Sequence, residues 1–189
     1  MMARDITAAN GFEGQINIVH SESQALKVGE GQSLERKADV LVAEIFDAGL
    51  LGEKAVATFD HARAHLLKPG GKIIPARATV YAALFESTQV AEQLRVDNAN
   101  ACGFDLSLFN QLGIVHYAQM DVNRFTWKLL SSPQAVEHYD FHRDIPATRK
   151  ELSFPITEDG RVDGVMFWFD LELAPGVHFS TDPHLKDSH

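Results

Sequence analysis

Two hydrophobic periods meet at Pro75, and no single layer of structure accommodates both. On the N-terminal side, Ala38-Asp39-Val40-Leu41-Val42-Ala43-Glu44-Ile45-Phe46 is apolar nearly throughout, the pattern of a central strand covered on both faces in a parallel sheet. From Glu53 to Leu67 the apolar positions Ala55, Phe59, Ala62 and Leu66 line one face of a helix, which Lys68-Pro69-Gly70-Gly71 ends before Lys72-Ile73-Ile74 begins a second strand. Strand, helix and strand make a βαβ unit, so residues 1–75 are expected to belong to an α/β sheet. Beyond Pro75, Ala76, Ala78, Val80, Ala82 and Leu84 alternate with Arg77, Thr79 and Tyr81, as in a strand with two different faces. Residues 76–189 are therefore expected to form a second, antiparallel β domain.

Smaller signals fill in the rest. Ala3 to Asn10 reads as the end of a helix stopped by Asn10-Gly11, Gln15 to His20 as a short strand, and Ser21 to Lys37 as a loop. Gln89 to Leu94 and Ser107 to Leu112 suit short helices. Glu158-Asp159-Gly160-Arg161 predicts a hairpin between Glu151–Thr157 and Val162–Leu173, and Ala174-Pro175-Gly176 predicts a turn into Val177–Ser180.

The chain has 189 residues, 45% of them apolar, enough for a cored protein. Its 17 basic and 26 acidic residues give a net charge of −9, which argues against direct binding to nucleic acid or to an anionic membrane and suits a basic partner. The single cysteine, Cys102, excludes an internal disulfide framework and a multi-cysteine zinc cluster, and it fits a reducing compartment. No apolar run approaches the roughly 20 residues of a membrane span. The expected location is the cytoplasm, with the nucleus open to a eukaryotic protein.

The segment richest in chemistry is Glu44-Ile45-Phe46-Asp47-Ala48-Gly49-Leu50-Leu51-Gly52-Glu53. Ligands of open α/β sheets bind beyond the carboxyl ends of the strands, where a buried strand would deliver Glu44, with Asp47 in the loop behind it. Gly49 and Gly52 let the loop double back and bring Glu53 to face Glu44. Two carboxylates held together repel unless a cation lies between them, and a planar guanidinium with five donors is matched to such a pair. A plainer reading stands beside this one: Glu53 complements the positive end of a helix dipole and Glu44 lies in solvent. General acid/base work by the pair, as in glycoside hydrolysis, has no further support in the sequence.

His61 with His65, and His138 with His142, have the four-residue spacing by which a helix offers two imidazoles to a metal. Neither pair lies in an HExxH frame, so both read as solvated faces and no metal is expected. Cys102 has no neighbouring histidine and reads as a small buried residue; Gly29-Glu30-Gly31 reads as a plain loop.

Glu44 and Glu53, nine positions apart after a hydrophobic strand, closely resemble the double-glutamate loop of the protein arginine N-methyltransferases. The form Glu-Ile-Phe-Asp followed by Gly-Glu is most similar to the monomethylating (type III) branch. Ile73-Ile74-Pro75-Ala76-Arg77-Ala78-Thr79-Val80-Tyr81 resembles the strand joining that family's cofactor domain to its β-barrel. Gly103-Phe104-Asp105-Leu106-Ser107 and Phe169-Asp170-Leu171-Glu172-Leu173 resemble barrel elements, and Phe179-Ser180-Thr181-Asp182-Pro183 the segment before the substrate loop.

The resemblance implies α/β plus β architecture: a partial Rossmann-like class I methyltransferase sheet over residues 1–75, followed by a partial antiparallel β-barrel over 76–189. It implies transfer of a methyl group from S-adenosyl-L-methionine, with S-adenosyl-L-homocysteine as product, to arginine in basic or Gly/Arg-rich protein tails. Glu44 and Glu53 would grip the guanidinium and Asp47 would narrow the pocket and limit methylation. Ser23 and Gln24 would contact the adenine of the cofactor, and His189, with Ser188 in place of threonine, matches the histidine of the Thr-His-Trp substrate loop. Family members dimerise through an arm in the barrel, expected here within Asp121–Pro133. The family's glycine-rich cofactor loop and ribose-binding acidic residue would precede Ala3 and its tryptophan would follow His189, so the resemblance implies an inactive fragment. The alternative of a different class is a non-catalytic module that holds arginine-rich peptides through the same two glutamates.

Overall fold

A computed structural model describes residues 2–96, 102–111, 117–146 and 149–185. Contacts gather into two compact units, Met1–Leu41 with Val56–Lys72, and Val42–Ala55 with Ile73–His189.

The first unit holds α1 (Met2–Ala9), a 3-10 turn at Ser23–Ala25, and most of β1 (Ala38–Val42), α2 (Ala55–His61) and β2 (Leu67–Ile74). α2 widens into a π-helical turn over Ala62–Leu66. Phe59, Ala62 and Leu66, all placed on the apolar face by their spacing, are buried, at 0%, 2% and 6% exposure. β1 and β2 form a two-stranded sheet, supported by an ion pair from Lys68 Nζ to Asp39 Oδ1 at 2.6 Å.

Three expectations are corrected here. β1 is not covered on both faces: Val40 and Val42, two positions apart and so on one face, are 46% and 72% exposed, and among the described residues only β2 pairs with the strand. Lys68-Pro69-Gly70-Gly71 does not turn the chain into a strand but is already strand, β2 beginning at Leu67. Gln15–His20 is no strand. Gln15 and Ile16 both donate their N–H to Phe12 O in a local turn, and no described strand edge lies beside the segment to supply a ladder.

In the second unit β3 (Arg77–Glu86) is the hub. It pairs antiparallel with β6 (Gly164–Ala174) from Arg77↔Glu172 to Phe85↔Gly164, and with β5 (Gln134–Asp140) and β4 (Lys128–Leu129); β6 pairs β7 (Val177–Ser180) across the Ala174-Pro175-Gly176 turn. The β3–β5 ladder shifts register between Val80 and Tyr81. Such a bulge strengthens the local twist and helps an antiparallel sheet to curl. The core contains Ala82 and Ala83 at 0% and Trp168, Phe169 and Leu171 at 4–6% exposure. α3 (Thr88–Gln93) starts where the Ser87 side chain accepts from Val90 N, and α4 is Leu108–Gln111.

The hairpin expected at Glu158–Arg161 does not form. Thr157 N donates to Leu130 O at 2.8 Å and Ile156 bridges Ser131, so the residues before the turn join the chain beyond β4 instead of β6. Arg161 folds back onto Asp163 at 2.7 Å. His138 lies in β5 and His142 in the turn after it, so their spacing is not a helical one. Within Asp121–Pro133 the chain makes a 3-10 turn at Val122–Arg124 and then β4, with Leu130 and Ser131 buried. Cys102 is exposed, contrary to its expected burial, in a turn where its φ is +52°.

Candidate active site

The loop between β1 and α2 is built by its own residues. After β1 ends, Ala43 N still donates to Ile74 O at 3.0 Å, which fixes the point where the chain leaves the sheet. Glu44 follows, exposed. Phe46 packs on Phe141, with ring centroids 5.7 Å apart; Phe141 is fully buried and also stacks with Tyr139 at 6.5 Å. The apolar end of the Glu-Ile-Phe-Asp segment is thus anchored to the residue that follows β5.

Asp47 then closes the turn. Its Oδ1 accepts from Gly49 N at 3.1 Å and Gly52 N at 3.0 Å, and its carbonyl accepts from Leu50 N at 2.9 Å. The reversal expected of the glycines falls instead on Leu50 and Lys54, with φ of +75° and +61°. Leu50 tolerates this left-handed backbone with its side chain fully buried. Gly49 and Gly52 serve a different need, that of space. A Cβ on Gly52 would run into the Asp47 carboxylate, and one on Gly49 would lie 3.0 Å from the Tyr117 hydroxyl.

Glu53 is exposed two residues before α2. Among the described residues neither Glu44 nor Glu53 has a hydrogen bond or an ion pair. The loop therefore carries two uncommitted carboxylates at its ends and one committed carboxylate, Asp47, inside it. Tyr117 adds a phenol whose pKa is pushed up, first by partial desolvation and then by the negative charge of Asp47. Tyr117 and Phe141 escaped the sequence reading because each lies more than 60 positions from the loop. The one local hint was Gly49, a glycine at a close approach rather than at a positive φ.

Ser23 and Gln24 are exposed on the 3-10 turn of the first unit, where Gln24 Nε2 donates to Thr58 Oγ1 at 3.3 Å. His61 and His65 have ring centroids 4.9 Å apart, and among the described residues no group of three or more His, Cys, Asp or Glu is placed to hold a metal. His189 lies outside the described residues.

Residues 76–189 match the family model described as the arginine methyltransferase oligomerization subdomain. The chain belongs to the arginine methyltransferase family. An arginine N(omega)-methyltransferase of Streptomyces achromogenes subsp. streptozoticus is 31% identical over 189 residues, covering 100% of this chain and 51% of the relative. Protein arginine N-methyltransferase 7 of Oryza sativa subsp. indica is 36% identical over 195 residues, covering 96% of this chain and 27% of the relative. The chain thus spans about half the length of the first relative and about a quarter of the second. Among solved structures, a chain of the Trypanosoma brucei PRMT1 enzyme-prozyme heterotetrameric complex with AdoHcy superposes with a TM-score of 0.74 at 22% identity, covering 99% of this chain and 59% of that one. The fold is accordingly part of a Rossmann-like methyltransferase sheet followed by part of an antiparallel β-barrel.

Proposed function

We propose that this arginine methyltransferase family chain forms the acceptor side of an enzyme that moves a methyl group from S-adenosyl-L-methionine to a guanidinium nitrogen of a basic or Gly/Arg-rich protein. The observation that carries the reading is the pair of uncommitted carboxylates, Glu44 and Glu53, at the two ends of a loop closed by Asp47. In this role Glu44 and Glu53 bind the guanidinium through its fork of N–H donors and draw its positive charge toward themselves, which leaves a terminal nitrogen more nucleophilic. Their contribution is position and charge rather than proton abstraction.

S-adenosyl-L-methionine, when bound, supplies an electrophilic sulfonium methyl group and leaves as S-adenosyl-L-homocysteine. Ser23 and Gln24 fit its adenine. The Ser23 hydroxyl is exposed, and the Gln24 side-chain oxygen is left over once the amide nitrogen has donated to Thr58, so the turn offers both a donor and an acceptor. The Glu-Ile-Phe-Asp form of the loop supports monomethylarginine as the product. The match to an oligomerization subdomain supports assembly of this chain with a second copy, which sedimentation velocity would read directly.

The deciding experiment incubates the chain, alone and within a full-length family enzyme, with methyl-labelled S-adenosyl-L-methionine and a Gly/Arg-rich peptide. Label is expected in the peptide's arginines when residues 1–189 stand within a full-length family enzyme, and not with Glu44→Gln there; the 189-residue chain alone, the inactive fragment the resemblance implies, is expected to transfer none. Peptide binding weakened by Glu44→Gln, with no transfer of label in the full-length setting, identifies a non-catalytic arginine-binding module instead. Absence of peptide binding overturns both.

A further inference from the structure

We propose that Asp47 is a positioning residue, the clasp that closes the loop between Glu44 and Glu53 and so sets where the two glutamates stand; the inference rests on the acceptor reading above. Three bonds to one residue define the clasp: Gly49 N and Gly52 N to Asp47 Oδ1, and Leu50 N to Asp47 O. The space around it is tight. The Asp47 carboxylate occupies the volume a side chain at residue 52 would need, and the Tyr117 phenol lies over Gly49 on the other side. Between these contacts Leu50 is held at a φ of +75°, a backbone that a residue with a Cβ keeps only when its surroundings enforce it. Partial desolvation and the Asp47 charge both raise the pKa of the Tyr117 phenol beside the clasp.

A clasp and a substrate contact make different demands on Asp47. To close the loop, the side chain needs an oxygen that accepts two backbone N–H groups, which a neutral amide also provides. To attract a guanidinium directly, it needs its negative charge. Asp47→Asn separates the two, because it keeps the acceptor and removes the charge. Gly52→Ala attacks the same clasp from the other partner, by placing a methyl group where the carboxylate lies.

The test titrates a synthetic Gly-Arg-Gly repeat peptide into the full chain by calorimetry and follows amide exchange at residues 49 and 52 by NMR. Asp47→Ala and Gly52→Ala are expected to lose roughly tenfold in affinity or more, and the double variant no more than either alone. Asp47→Asn is expected to recover to within about threefold of wild type, with the amides of residues 49 and 52 again protected. Equal losses in Asp47→Asn and Asp47→Ala overturn the proposal and make Asp47 a direct partner of the peptide. If the wild-type chain binds no peptide, the acceptor reading fails, and exchange then judges the clasp alone: protection lost in Asp47→Ala supports it, and unprotected amides in the wild type overturn it.

Discussion

Asp163 shows what a single carboxylate contributes when its donors are fixed by the fold. Its side chain is 1% exposed, and it accepts from Arg161 Nε at 2.7 Å, from Arg161 through a second guanidinium nitrogen at 3.1 Å, and from Ser87 N at 3.0 Å. The Arg161 hydrogen bonds, with the Ser87 N–H behind them, outweigh burial and hold the Asp163 carboxyl below its ordinary value. A carboxyl whose folded-state pKa is depressed contributes stability above its unfolded pKa, near 3.9, and loses that contribution as pH falls through the lower folded-state value. Asp163→Ala, which strands the buried Ser87 N–H, is expected to cost about 1–3 kcal/mol at neutral pH. The gap in urea midpoint between wild type and Asp163→Asn should narrow as pH drops below about 4; a gap independent of pH would remove the charge from the account. Residue-scale features of this kind were only half legible. Glu44, Asp47 and Glu53 sit within ten positions of one another and announce themselves, but Tyr117 and Phe141 reach the same loop through tertiary folding, which no local pattern records.

Elements were legible where their pattern is set locally and lost where a partner decides. The alternation from Ala76 to Leu84 needs no neighbour to be read as a strand, and β3 appears as expected, as do α3 and the turn into β7. Gln15–His20 has the composition of a strand and, among the described residues, no edge to pair with; residues 151–157 have a hairpin turn after them and a better partner in residues 130 and 131. Hydrogen-bond partners, not propensity, settled both cases. The end of β5 shows how an element governs the candidate site. Phe141 is fully buried, donates its N–H to Ala76 O at 3.0 Å, and offers its ring to Phe46 of the glutamate loop. Phe141→Ala should therefore cost about 3–5 kcal/mol in urea denaturation, a large share of a typical domain's stability. Phe141→Leu, which keeps most of the volume, should lose far less stability yet still weaken peptide binding through the loosened Phe46. Full binding in Phe141→Leu would show that the loop holds its shape without the aromatic contact.

At the scale of the whole molecule the charge excess of −9 acts on encounter rather than on grip. A basic peptide feels the summed field of the chain over about a Debye length, roughly 10 Å at 0.1 M salt and 3 Å at 1 M, whereas the carboxylates of Glu44 and Glu53 act at contact distance. The two contributions should separate kinetically. Raising salt from about 0.05 to 0.5 M is expected to slow association of a Gly/Arg-rich peptide by roughly tenfold, with dissociation changing much less. Glu44→Gln alters the net charge by one unit in 9 and should leave the association rate nearly as it was while speeding dissociation. Stopped-flow measurement on both proteins across that salt range reads the two rates independently. A dissociation rate that rose with salt as steeply as association fell would mean that the glutamate pair is itself solvent-screened, and that the loop holds its arginine by no more than the general field of an acidic surface.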